Sequence, residues 1–205
     1  LQRALALLNL VDESPERDGR ELDLRESLVL ILHVTRGWAA PEAIEAAARI
    51  GLLVERTDNL GRLVVSLATR CFHANLAGAL SIAGALADEG LELALREGSP
   101  PLIATLHMMQ LITRFPRGDL VGAENHFMAV QKYIDDPVFR QNPGGYVPSV
   151  FGWGSWNAWI LGRADVARER IAEARAAVNP ANPHDLPWSQ MLAAILYTHL
   201  KENEI

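Results

Sequence analysis

The 205-residue chain is short of several things at once, and each shortage removes a class of function. It has one cysteine, Cys71, so an internal disulfide and a cysteine-based zinc site are both excluded. Only two of its 19 basic residues, Lys132 and Lys201, are lysines, and the arginines are scattered rather than patched. With a net charge of −6 at pH 7, this disfavours a nucleic-acid-binding surface. Aromatic residues make up only 6% of the chain. No apolar run approaches the roughly 18 residues that mark a membrane span, and no signal-peptide pattern opens the sequence. The expectation is therefore a cytoplasmic protein without a membrane partner. Neither a G-x-x-x-x-G-K-[ST] phosphate loop nor an H-E-x-x-H zinc motif occurs anywhere in it.

What is present is alanine and leucine. The chain is 49% hydrophobic and 21% charged, which suits a folded body rather than a disordered tail. At this size folding buries roughly 70% of the surface that the unfolded chain exposes. Because the sequence starts at Leu1 and stops inside a helical pattern, we expect a fragment of a larger protein, with one repeat domain over residues 1–205.

Helical periodicity runs nearly throughout. Leu120, Val121, Ala123, Phe127, Val130 and Ile134 follow one helical face, and Val166, Ala167, Ile171, Ala174 and Val178 follow another. Ser14-Pro15 and Ser99-Pro100 each place a capping hydroxyl before a proline at the first helical position. Asp119 reads as a further cap, and Pro41-Glu42 opens a helix with an acid in its first turn. The pattern predicts ten helices, at about 1–10, 16–36, 41–56, 61–76, 80–97, 100–115, 119–135, 148–161, 164–178 and 185–202.

The helices repeat in pairs. A glycine ends one helix and a small residue follows five or six positions later, as in Gly37…Ala43, Gly78…Ala83, Gly118…Ala123 and Gly162…Ala167. These glycines lie 41, 40 and 44 residues apart, a spacing that signals an α-solenoid with one helix pair per unit. Glycine supplies the positive φ that reverses the chain, and alanine lets the second helix approach the first. The expected fold is all-α, a right-handed solenoid of antiparallel helix pairs with repeat turns near 37, 78, 118 and 162. A tetratricopeptide-like register places Cys71, Ala74, Ala83, Ala87, Gly90, Ser155, Ala158, Ala167 and Ala174 at small packing positions. Leu111 and Arg114 depart from it, and the units exceed the usual length of about 34 residues.

Few residues offer chemistry. The six histidines form no metal-binding spacing, so packing and surface roles are expected for them. At its small packing position Cys71 reads as a buried thiol rather than a nucleophile. Asp88-Glu89 and Asp135-Asp136 read as solvated pairs, and Gly144-Gly145 as a turn. No catalytic residue, metal site or cofactor is expected. The informative feature is aromatic: Trp153, Trp156 and Trp159 recur every three residues on one helix. The register places them on the inner face of a solenoid groove, together with Thr105, Met108, Met109, Ile112 and Phe115, and with Ala68, Thr69 and Phe72 one unit earlier. Such a wall would suit an apolar helix or peptide, since tryptophan anchors and methionine adapts. A small-molecule inducer bound in the same groove is the alternative.

The strings T-R-G-W-A-A-P-E at 35–42, R-E-G-S-P at 96–100, and N-P-G followed by W-N-A-W-I-L-G-R-A-D at 156–165 carry a family resemblance. So do L-Q-R-A-L-A-L-L at the start and S-P-E-R at 14–17. Together they resemble the C-terminal helical repeat region of large bacterial signalling proteins. There a nucleotide cyclase or winged-helix DNA-binding domain precedes a P-loop ATPase and then the repeats. The resemblance implies a non-catalytic scaffold, sensor or autoinhibitory module. Its partners would be proteins or peptides, including the ATPase and effector domains of the same polypeptide.

Overall fold

A computed structural model describes residues 1–201. Among them the chain is all helical: α1 (Gln2–Leu8), α2 (Pro15–Arg36), α3 (Pro41–Val54), α4 (Leu60–Leu76), α5 (Leu80–Glu97), α6 (Pro100–Arg114), α7 (Leu120–Val130), α8 (Pro137–Arg140), α9 (Tyr146–Ile160), α10 (Ala164–Ala176) and α11 (Asp185–Leu200). A 3-10 turn, Gln131–Tyr133, follows α7. The expected last helical residue, Glu202, lies outside the described residues.

Local chemistry sets most helix ends. Ser14 caps α2 by accepting from the Arg17 N–H at 3.2 Å, with Pro15 in the first turn. Asp119 caps α7 through the Gly122 N–H at 2.9 Å. Ser99 stands at the start of α6 but makes no capping bond. Pro100 and Pro101 fill the first two helical positions, so one of the N–H groups that a cap would serve is absent. The four repeat glycines, Gly37, Gly78, Gly118 and Gly162, all have φ between 71° and 90°, as chain reversal requires.

The largest departure from the periodicity comes after α7. The helix expected over 119–135 gives up its α form after Val130 and tightens into the 3-10 turn. The cause lies ahead: Pro137 holds Asp136 extended, at ψ 125°, so the helix must stop first. Asp136 then caps α8 through the Val138 and Phe139 N–H groups. A short helix thus sits where a plain connector was expected.

The helices divide into two compact units, residues 1–93 and 94 onward, with the division falling inside α5. In the first unit α2 packs on α3 and α3 on α4. Leu22, Val29, Ala46, Ala47, Ile50, Leu53 and Val54 form its core. Beside that core Glu21 is buried and accepts from Arg25 at 2.7 Å and from Nε and Nη2 of Arg49 at 2.9 and 2.8 Å. Cys71, fully buried, donates its S–H to the Ala83 carbonyl and so ties α4 to α5.

In the second unit the main pairs are α6 with α7 and α9 with α10, and α11 packs on α9 and α10. Ala158, Ala167, Ile171, Ala174, Leu192, Ala193 and Leu196 form one core cluster. Full burial of each leucine is worth about 1.5–3 kcal/mol. Two glycines inside α9 make the close packing possible. A Cβ on Gly152 would lie 2.5 Å from the Leu192 side chain, and one on Gly154 would overlap the Phe127 ring. The guanidinium of Arg170 covers that ring at 3.8 Å, pairs with Glu124 at 2.9 and 2.5 Å, and donates to the Gly154 carbonyl. Of the residues assigned to small positions, Ala83, Ala87, Ala123, Ser155, Ala158, Ala167 and Ala174 are fully buried and Gly90 is buried, whereas Ala74 is only half-buried.

Candidate functional site

The tryptophans of α9 do not form one uniform stripe. At 100° per residue, a step of three falls about 60° short of a full turn, so the side chains fan across roughly 120° of helix surface. Trp159 lies at one edge of the fan and stacks on His199 of α11, with ring centroids 4.6 Å apart. Trp156, in the middle, packs against the α11 core cluster and donates its indole N–H to the Leu192 carbonyl at 3.0 Å. Trp153, at the other edge, meets Trp156 edge-on at 4.8 Å and Phe115 at 5.6 Å. Phe115 sits at the C-terminal end of α6, where the helix hands over to the Gly118 turn.

Phe115, Trp153 and Trp156 therefore form an aromatic wall, each ring half-buried. The wall carries one unmet hydrogen-bonding group. Trp153 Nε1 is buried and has no partner. Buried indole N–H groups normally find an acceptor, and leaving one unpaired costs about 1–3 kcal/mol.

The other residues expected to line this wall lie elsewhere. Met108, Met109 and Ile112 are no more than 3% exposed, and Thr105 is buried too. Apart from half-buried His107, residues 103–113 of α6 are buried, so this helix is central rather than amphipathic. In the first unit Ala68 is buried. Phe72 is half-buried and meets Trp38 edge-on at 5.2 Å, while Trp38 stacks on His33 at 4.0 Å.

The histidines hold what sequence spacing missed. His33 of α2 and His73 of α4 face each other with Nε2 atoms 3.0 Å apart, both buried. Their centroid separation of 5.2 Å is about that contact plus one ring radius at each end, so the nitrogens meet head to head. Two neutral imidazoles satisfy this geometry, one donating and the other accepting. Burial, reinforced by His73, pushes His33 down to about 4, and burial lowers His73 as well. A second pair, His107 of α6 and His126 of α7, meets through Nδ1 atoms at 2.9 Å. The signal for the first pair was present: 33 and 73 are 40 residues apart, one repeat period.

The buried acids are committed to structure. Hydrogen bonds from Arg49, then Arg25, hold Glu21 down at about 2 against the opposing effect of burial. Arg170 likewise lowers Glu124. Burial pushes the Tyr146 phenol up to about 12. None of the three exchanges a proton near neutral pH, as general acid–base chemistry would need. Among the described residues no group of three or more His, Cys, Asp or Glu side chains is placed to hold a metal ion, and no helix is long and apolar enough to cross a membrane. No protein-family model matches the chain, and no curated protein matches it in sequence.

Proposed function

We propose that this chain is a non-catalytic, cytoplasmic interaction module of a bacterial multidomain signalling ATPase or transcriptional regulator. Its helix pairs act as tetratricopeptide-like repeats, presenting a surface to a protein or peptide that includes the ATPase and effector domains of the same polypeptide. The observation that carries the reading is the half-buried wall of Phe115, Trp153 and Trp156 with its unpaired Trp153 indole N–H. Tryptophan and phenylalanine supply anchoring area, and a backbone carbonyl of a docked segment would satisfy the free donor. The committed states of Glu21, Glu124 and Tyr146 fit a scaffold better than a catalyst.

The test is calorimetric titration of the chain with the ATPase and effector domains of its polypeptide. The reading expects saturable binding, weakened at least tenfold by Trp153→Ala, which removes both the ring and its donor. Trp153→Phe keeps most of the ring and deletes only the N–H, so it should lose less binding and keep the melting temperature. Equal affinity for all three proteins would overturn the reading.

A further inference from the structure

Away from the aromatic wall, α10 and α11 leave an open groove of about 490 Å³ between them. That size lies within the ordinary range for small-ligand sites. Its lining is mixed, the apolar part coming from Ala172 and Ala176 on α10, Val178 just beyond it, and Leu186 on α11. Three polar residues complete it: Arg175, Ser189 and Gln190. Arg175 is the one charged side chain lining the groove, and among the described residues it has no ion-pair partner. Gln190 makes no side-chain hydrogen bond among them either. Ser189 is 1% exposed, and its Oγ is buried without a hydrogen-bond partner.

An unpaired buried hydroxyl is costly on its own, and a guanidinium lining the same groove without an ion-pair partner sets the sign of what would relieve it. We infer that the α10–α11 groove binds a small organic carboxylate with a short aliphatic body. The aliphatic part lies along Ala172, Ala176 and Leu186, while the carboxylate accepts from Arg175 and from the Ser189 hydroxyl. Gln190 donates to the second carboxylate oxygen. A neutral molecule of the same shape would use the walls but leave the guanidinium unmatched, and an ammonium would be repelled by it.

Hexanoate, hexan-1-ol and hexylammonium, titrated into the 15N-labelled chain, read this directly. Hexanoate should saturably shift the amide resonances of Arg175, Ser189 and Gln190, while hexan-1-ol binds about tenfold more weakly and hexylammonium not at all. Arg175→Gln, at an exposed position, should bring hexanoate down to the level of the alcohol and leave the melting temperature unchanged. Ser189→Ala should weaken hexanoate several-fold while leaving the melting temperature equal or higher, because it removes an unpaired buried hydroxyl. Equal binding of acid and alcohol, shifts elsewhere on the chain, or a lowered melting temperature in Ser189→Ala would each overturn the inference. Trp153→Ala should leave hexanoate binding intact, so this test and that of the interaction module fail separately.

Discussion

Gly154→Ala is the sharpest perturbation of the repeat packing, because two known effects oppose each other and the structure decides between them. In an exposed helix, alanine would be favoured over glycine by about 1 kcal/mol. At Gly154 the added Cβ overlaps Cδ2 and Cε2 of Phe127, a ring 1% exposed. That ring cannot slide away freely. Arg170 covers one face at 3.8 Å, held in turn by Glu124, and Phe151 stands edge-on to it at 6.1 Å. Overpacking of this kind costs about 1–3 kcal/mol, and more if the Arg170–Glu124 pair is displaced. We expect net destabilisation of about 1–2 kcal/mol, read as a lower urea midpoint by far-ultraviolet circular dichroism at an unchanged slope. Phe127→Leu provides the control. On that background the added methyl finds space, so the double variant should be more stable than the sum of the singles by about 1 kcal/mol. A Gly154→Ala variant more stable than the parent would refute the close-approach reasoning.

Two further outcomes follow from the same packing. Ala123→Leu and Ala167→Leu, each at a fully buried position, should destabilise by about 1–3 kcal/mol in the same urea assay, and unchanged melting in both would remove the repeat register. The His33–His73 pair makes stability depend on pH: the folded state holds His33 at about 4 against an ordinary 6.5, so it binds fewer protons than the unfolded chain. This contribution is complete above pH 6.5 and is lost as pH falls through that value towards 4, by about 2–3 kcal/mol. Urea midpoints at pH 7.5, 6 and 5 should therefore fall for the parent, and a flat profile over that window would refute the buried pair. His33→Phe should make the fall shallower.

The repeat was legible because its determinants are local. A reversed turn demands glycine, a close helix approach demands a small side chain, and both show as spacing along the chain. Hence Gly37, Gly78, Gly118 and Gly162 adopt positive φ, and Cys71 is a buried packing residue. The aromatic wall was legible only in part. The spacing of Trp153, Trp156 and Trp159 gives their shared helix but not how many neighbours surround it. Trp159 is taken up by α11, Trp156 is shared between α11 and the wall, and Met108, Met109 and Ile112 are buried on a central helix, which depends on tertiary packing rather than on periodicity. The groove residues Arg175, Ser189 and Gln190 carry no motif at all. What brings them together is the crossing of α10 and α11.

The stacking of Trp38 on His33 has a spectroscopic consequence. Trp38 is the only one of the five tryptophans in the first 93 residues; the other four belong to the second unit. An imidazolium ring quenches indole emission far more strongly than neutral imidazole, and Trp38 rests 4.0 Å from the imidazole whose protonation opposes folding. A variant with the other four indoles replaced by phenylalanine would emit from Trp38 alone. Its intensity against pH would then record the protonation of one buried histidine, and its emission wavelength the opening of one unit, from a single natural fluorophore.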